Sequence, residues 1–182
     1  MAKIDKATEI LDIAERMARQ GGYSGFSFRE IAKEAGVKSA SVHYHFPTKE
    51  DLGTALANRY TEQFLESLGT PSEFASLQEG LEHYRNHFRK ALTEDGLMCL
   101  CGMLGAQYQS LPDALRRETR LFFERNIDWL ERVLEHADEP ATPQARREAA
   151  IKLIATLEGA MILAQTLEDD AYFESVIANT TG

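Results

Sequence analysis

Few residues in this 182-residue chain have a wide chemical repertoire: two cysteines, Cys99 and Cys101, and five histidines. Two positions apart on one helix, the thiols point about 200° from each other, so they do not readily close an intrahelical disulfide. No second cysteine pair and no nearby histidine completes a zinc site around them. His83 and His87 stand four residues apart on one helix face, a spacing that two metal ligands can share. Only Glu79 or Glu82 could supply a third ligand, and a solvated or hydrogen-bonded histidine face is the expectation there. No Gly-rich phosphate loop, nucleophile elbow or acid–base constellation is present. These residues point to neither an enzyme nor a metal site, and no cofactor is expected.

A second group has different chemistry. Ser39, Ala40, Ser41, His43, Tyr44 and His45 share one short predicted helix, about 39–45, with Lys38 just before it. They combine hydrogen-bond donors and acceptors with an element slim enough for a DNA major groove about 12 Å wide. Lys38 before that helix and Lys49 at the start of the next are placed for phosphates on either side. The helix starts near Ser27 and Thr48 add backbone N–H anchors for the same purpose.

The elements that hold this group are helical throughout, and periodicity indicates no convincing strand. Ala7, Ile10, Leu11, Ala14, Met17 and Ala18 make a one-faced helix over about 5–20, ended by Gly21-Gly22. Ser27-Phe28-Arg29-Glu30 reads as a capping box opening a short helix over 28–35, which Gly36 stops. Val37, Val42 and Phe46 are core anchors, and Pro47 ends the third helix. Further helices are predicted over about 48–69, 73–93, 97–109, 113–137, 144–168 and 170–179, about nine in all. Glu139-Pro140-Ala141-Thr142-Pro143 is the clearest loop. The eighth helix is apolar nearly all round from Leu153 to Leu167, as befits an element covered on more than one side. The fold class is all-α.

Composition agrees with a soluble globular chain, at 43% hydrophobic and 27% charged residues. No apolar run is expected to reach the roughly 18–20 residues of a membrane span. The N-terminus, Met1-Ala2-Lys3-Ile4, lacks a secretory pattern, and a cytoplasmic protein is expected. The net charge of −9 is unevenly distributed: residues 1–60 hold nine Lys/Arg against eight Asp/Glu, and the acidity lies beyond them. The N-terminal third is therefore not electrostatically barred from DNA.

Gly25-Phe26-Ser27-Phe28-Arg29-Glu30-Ile31-Ala32, Ala35-Gly36-Val37 and Ser41-Val42-His43-Tyr44-His45-Phe46-Pro47-Thr48-Lys49-Glu50-Asp51-Leu52 resemble the DNA-binding head of the tetracycline-repressor (TetR) family. The likeness spans about 45 residues, with the turn glycine, the His-Phe ending and the following lysine in register. It implies a helix-turn-helix head over 1–47, a connecting helix over 48–69 and a helical ligand-binding and dimerisation domain over 70–182. It further implies a homodimer on a (pseudo)palindromic double-stranded operator, with a small-molecule inducer and no membrane. By position, Ser27 matches the hydroxyl that caps helix 2 at a phosphate, and Ser41 the family's Thr/Ser on helix 3. Tyr44, His45 and Lys49 match further family positions, while His43 replaces the usual phosphate-contacting tyrosine.

A dimer must hold its two recognition helices roughly 34–36 Å apart. The eighth helix is the expected interface: Gly159, Ala160 and Ala164 admit a partner helix, and Leu153 and Leu157 supply burial. The alternative is that this helix is only the centre of a monomer core. Tyr84, Phe88, Cys99, Met103, Gln107, Phe122, Trp129, Met161 and Gln165 are candidate pocket residues, although a plain helical core has the same composition. Gln107 and Gln165 stand out, since an amide on an apolar face requires a partner. Cys99-Leu100-Cys101-Gly102 resembles a setting in which some branches of the family carry a reactive cysteine, so sensing of electrophiles or oxidants through Cys99 is the alternative to a ligand-responsive repressor. A buried, inert pair is the other reading of the same residues. A helical protein that no longer binds DNA is a third.

Overall fold

The structure, a computed structural model, describes residues 5–136 and 141–178. It contains no strand among them. Met1-Ala2-Lys3-Ile4, Glu139 and Pro140 of the expected loop, and the last residues expected of the seventh and ninth helices lie outside the described residues. The helices are α1 (Lys6–Gly21), α2 (Phe28–Glu34), α3 (Ser39–His45), α4 (Lys49–Leu68), α5 (Leu77–Thr93), α6 (Leu100–Ala106), α7 (Asp113–Leu134), α8 (Pro143–Leu167) and α9 (Ala171–Ala178).

Several boundaries have side-chain causes. Ser76 accepts the Glu79 N–H at 3.2 Å and caps α5. That helix therefore starts at Leu77 rather than 73, and Pro71–Glu73 forms a separate 3₁₀ turn behind Thr70. Thr48 and Asp51 form a reciprocal capping box. The Thr48 N–H donates to Asp51 Oδ2 at 3.0 Å, and the Asp51 N–H to Thr48 Oγ1 at 3.1 Å. Helix α6 is shorter than periodicity suggests, since Leu97, Met98 and Cys99 precede it as irregular chain. Cys99 thus lies outside the helix that holds Cys101, and the argument from their shared helical screw does not apply.

The chain forms two compact units. One comprises residues 1–63 and 100–122, the other 64–99 and 123–182. Both α4 and α7 cross a unit boundary without interruption. In the first unit, α1 packs on α2, α3 and α6 around Ile10, Ala14, Phe26, Ile31, Val42 and Leu52. In the second, α8 lies against α5 and α9 around Tyr84, Phe88, Leu130, Leu157, Met161 and Phe173.

By length and composition, α8 is apolar enough to cross a membrane, contrary to the expectation that no segment reaches that limit. Packing inside the chain accounts for only part of that character. Ala150, Leu153, Ile154, Leu157, Ala160, Met161 and Ala164 are buried, while Ile151, Ile162, Leu163 and Leu167 remain exposed.

Candidate nucleic-acid interface

The head is built around the turn between α2 and α3. Gly36 takes φ +64°, a left-handed conformation that costs an L-residue about 1 kcal/mol or more. That conformation lets the Val37 N–H reach back to the Ala32 carbonyl at 2.9 Å, closing a Schellman motif. Val42 (0% exposed) and Phe46 anchor α3 from inside, and the expectation of core roles holds for both. Val37 is only half-buried. On the outer side Lys38, Ala40, His43 and Tyr44 are exposed, while Ser39, Ser41 and His45 are partly covered. Tyr44 is 83% exposed, and the His45 ring lies edge-on to it at 5.2 Å.

Three of the residues assigned to phosphates have local partners. The Ser27 hydroxyl accepts the Glu30 N–H at 3.3 Å and donates to Glu30 Oε2 at 2.6 Å. Glu30 thus holds the hydroxyl itself instead of returning to the backbone of Ser27, as a full capping box would. The Lys49 ammonium sits over the rings of Tyr23 (4.8 Å) and Phe26 (4.6 Å). Burial there lowers its pKa, and the Glu30 charge partly restores it. His43 packs edge-on against Phe28 at 4.5 Å, and its Nδ1 lies 3.2 Å from the Pro47 carbonyl. A carbonyl only accepts, so Nδ1 carries the proton. Nε2 is left facing outward as an acceptor on the neutral ring and as a donor on the cation. Sequence reasoning paired Ser27 with Glu30 but missed Tyr23, Phe26 and Phe28 as the supports of the other groups. The aromatic spacing around Ser27 was the available signal.

Ion pairs fix the rest of the head. Arg59 on α4 binds Asp12 at 2.7 Å and Glu15 at 2.8 Å on α1, and Arg16 pairs with Glu34. Gln107, expected in a pocket, instead accepts the Tyr23 N–H at 2.8 Å just after α1. Gly22 lies against the same amide, where a Cβ would come within 2.5 Å of Oε1. Gln107 is thereby part of the head's support.

The remaining pocket candidates divide between the units. Met103, Gln107 and Phe122 belong to the first, where Phe122 meets Tyr60 at 5.7 Å. Tyr84, Phe88, Cys99, Trp129, Met161 and Gln165 belong to the second. There Tyr84 stacks on Trp129 at 5.7 Å and packs against Phe88 at 5.5 Å. The Tyr84 hydroxyl donates to Asn126 Oδ1 at 3.0 Å, and the Trp129 indole N–H donates to the Gly69 carbonyl at 2.8 Å. Gln165 is exposed and donates to the Gly96 carbonyl at 3.2 Å. A cavity of about 490 Å³ opens beside α5 and α8, bordered by Leu77, Leu81, Arg85, Leu134 and Leu153. None of the nine pocket candidates lines it.

Cys99 (2% exposed) and Cys101 (0%) are buried. Cys99 also faces the Glu158 carboxylate, which disfavours a thiolate. The exposed, electropositive setting that reactive-thiol sensing requires is not what surrounds it. His83 and His87 direct ring nitrogens at the carbonyls of Ser67 (3.4 Å) and His83 (3.0 Å) within an aromatic cluster. Among the described residues no group of three potential ligands could hold a metal. Of the residues proposed for an interface on α8, Leu153, Leu157, Ala160 and Ala164 are buried inside the chain's own second unit. Only Gly159 faces open space, with nothing within 4 Å of a Cβ placed there.

A slim, outward-facing α3 behind a Schellman-closed turn defines a helix-turn-helix transcriptional regulator. The sequence profile of the bacterial regulatory proteins of the tetR family matches residues 10–56. A TetR transcriptional regulator from Legionella pneumophila is 32% identical with a TM-score of 0.93, over 99% of this chain and 97% of its own. A TetR-family regulator from Agrobacterium tumefaciens is 29% identical with a TM-score of 0.87, over 94% and 93%. The HTH-type transcriptional repressor DhaR of a Mycobacterium species is 25% identical, over 85% of this chain and 77% of its own. This chain belongs to the TetR family of transcriptional regulators.

Proposed function

We propose that the protein is a cytoplasmic repressor that binds a (pseudo)palindromic operator as a homodimer and releases it when a small molecule binds the second unit. The observation that carries the DNA half is the exposed face of α3, where Tyr44 stands 83% exposed on a helix whose inner side is fully packed. A tyrosine held that far into solvent contributes little to folding, so recognition is the better account of it. The acidity outside residues 1–60 favours approach to DNA through the head alone. Release rests on a family-level expectation and on α4 and α7, which run unbroken from one unit into the other.

The test is fluorescence anisotropy on DNA upstream of the protein's own gene, from about 50 to 200 mM salt, where a handful of phosphate contacts gives a steep negative slope. Tyr44→Ala should cost roughly tenfold or more in operator affinity while circular dichroism and melting temperature stay unchanged. Equal affinity of wild type and variant for operator would remove α3 from recognition.

A further inference from the structure

Glu158 is the only charged residue between Leu153 and Leu167 on α8. Both of its carboxylate oxygens are shielded from solvent without a well-formed hydrogen bond, and the donor facing them is the Cys99 thiol, a weak one. An anion so placed is opposed by desolvation unless a counter-charge completes it. Its surroundings are specific. It faces Cys99, and its charge acts on the phenol of Tyr84. Tyr84 is in turn stacked on Trp129 and packed on Phe88. Rings carry negative faces, so this neighbourhood attracts a cation and repels an anion. A bare metal ion would find no group of three ligands among the described residues, whereas an organic ammonium needs one carboxylate and an aromatic setting.

We propose that Glu158 is the anionic anchor of a binding site in the second unit for a small organic ammonium ion, with the Tyr84–Phe88–Trp129 cluster beside it. The proposal deepens the reading of a small-molecule effector and rests on it for its regulatory meaning.

The chain's single tryptophan, Trp129, makes binding directly readable by fluorescence. The probes are three arylalkylamines of increasing size, namely phenethylamine, tryptamine and benzyltrimethylammonium. Each is paired with its isosteric neutral partner, and phenylpropionate serves as the anion. At pH 8 at least one amine should bind at least tenfold more tightly than its neutral partner, and phenylpropionate should not bind. In Glu158→Gln that preference should vanish while cooperative unfolding, at no lower stability than wild type, and operator affinity persist. Amines and neutral partners binding alike in wild type, no amine binding at all, or a preference surviving in Glu158→Gln would each overturn the site. The same titrations with operator present separate the two ideas. Amine binding lost in Glu158→Gln but without effect on operator affinity leaves the site standing and removes its role as inducer site.

Discussion

The ionisation of Glu158 carries a second, independent consequence for stability. Burial raises its pKa from the ordinary carboxylate value to about 7, and the Cys99 thiol only partly offsets that rise. The other titratable group facing it, the Tyr84 phenol, is pushed well above its ordinary value and stays neutral. In the unfolded chain Glu158 ionises near pH 4.5, so between there and 7 the native state holds a proton that the unfolded state has lost. The native state is therefore relatively favoured at low pH, and stability falls as pH rises through 7. Glu158→Gln should stabilise the protein by on the order of 1–3 kcal/mol at pH 8, with the gap closing by pH 5 in denaturant melts. A pH-independent difference would mean that the carboxylate is not desolvated as the fold places it. Glu158 was legible in sequence as a lone acid in an apolar helix. The tie of His43 to Pro47 and the perch of Lys49 on Tyr23 and Phe26 were not, because each depends on where the chain returns after a turn.

Among elements, α2 and α8 end in the same way with different residues. Val37 returns to Ala32 past Gly36, and Asp169 returns to Ala164 past Glu168 at 3.0 Å. Gly36 takes φ +64° and Glu168 φ +54°. One substitution relieves the strain and the other creates it. Glu168→Gly should stabilise by about 0.5–1 kcal/mol, and Gly36→Ala should destabilise by about 1 kcal/mol. The Gly36 site has open space around a Cβ, so only backbone conformation is at stake there, and chemical denaturation reads both changes. Gln107 supplies the other element-level link. Gln107→Ala leaves the Tyr23 N–H without its acceptor and should cost on the order of 1–2 kcal/mol, measured by the same melts. The start of α4 at Thr48, the stop at Gly36 and the break at Gly69 were all readable from turn and cap chemistry. The late start of α5 was readable too, in Ser76 and Glu79, but the apolar period before it carries the eye past the cap. Helix α6 lost its first turn because an apolar run signals burial and not helix.

For the whole molecule, sequence periodicity registers helices but not which stretches pack together, so the unit boundaries inside α4 and α7 left no compositional trace. The same blindness explains α8. A helix apolar on every side has no preferred face in sequence, and small residues at Gly159, Ala160 and Ala164 suggested a partner face. Packing buries Ala160 and Ala164 internally and leaves Ile151, Ala155, Gly159, Ile162 and Leu163 outward, joined by exposed Leu167 and by Tyr172 on α9. Side chains of this size rarely stand open together on a monomer surface. The proposed dimer is therefore expected to meet along this face, rotated around α8 from the one the small residues suggested. Ile162 is 54% exposed and central to it. Ile162→Lys adds a charge that a monomer tolerates in water but an apolar interface does not. Sedimentation velocity should then show a monomer with unchanged helix content, and operator affinity should fall because two half-sites are no longer engaged together. The matched change Ala160→Lys, on the buried face, should instead unfold the second unit. If Ile162→Lys sediments as a dimer, the two copies meet elsewhere.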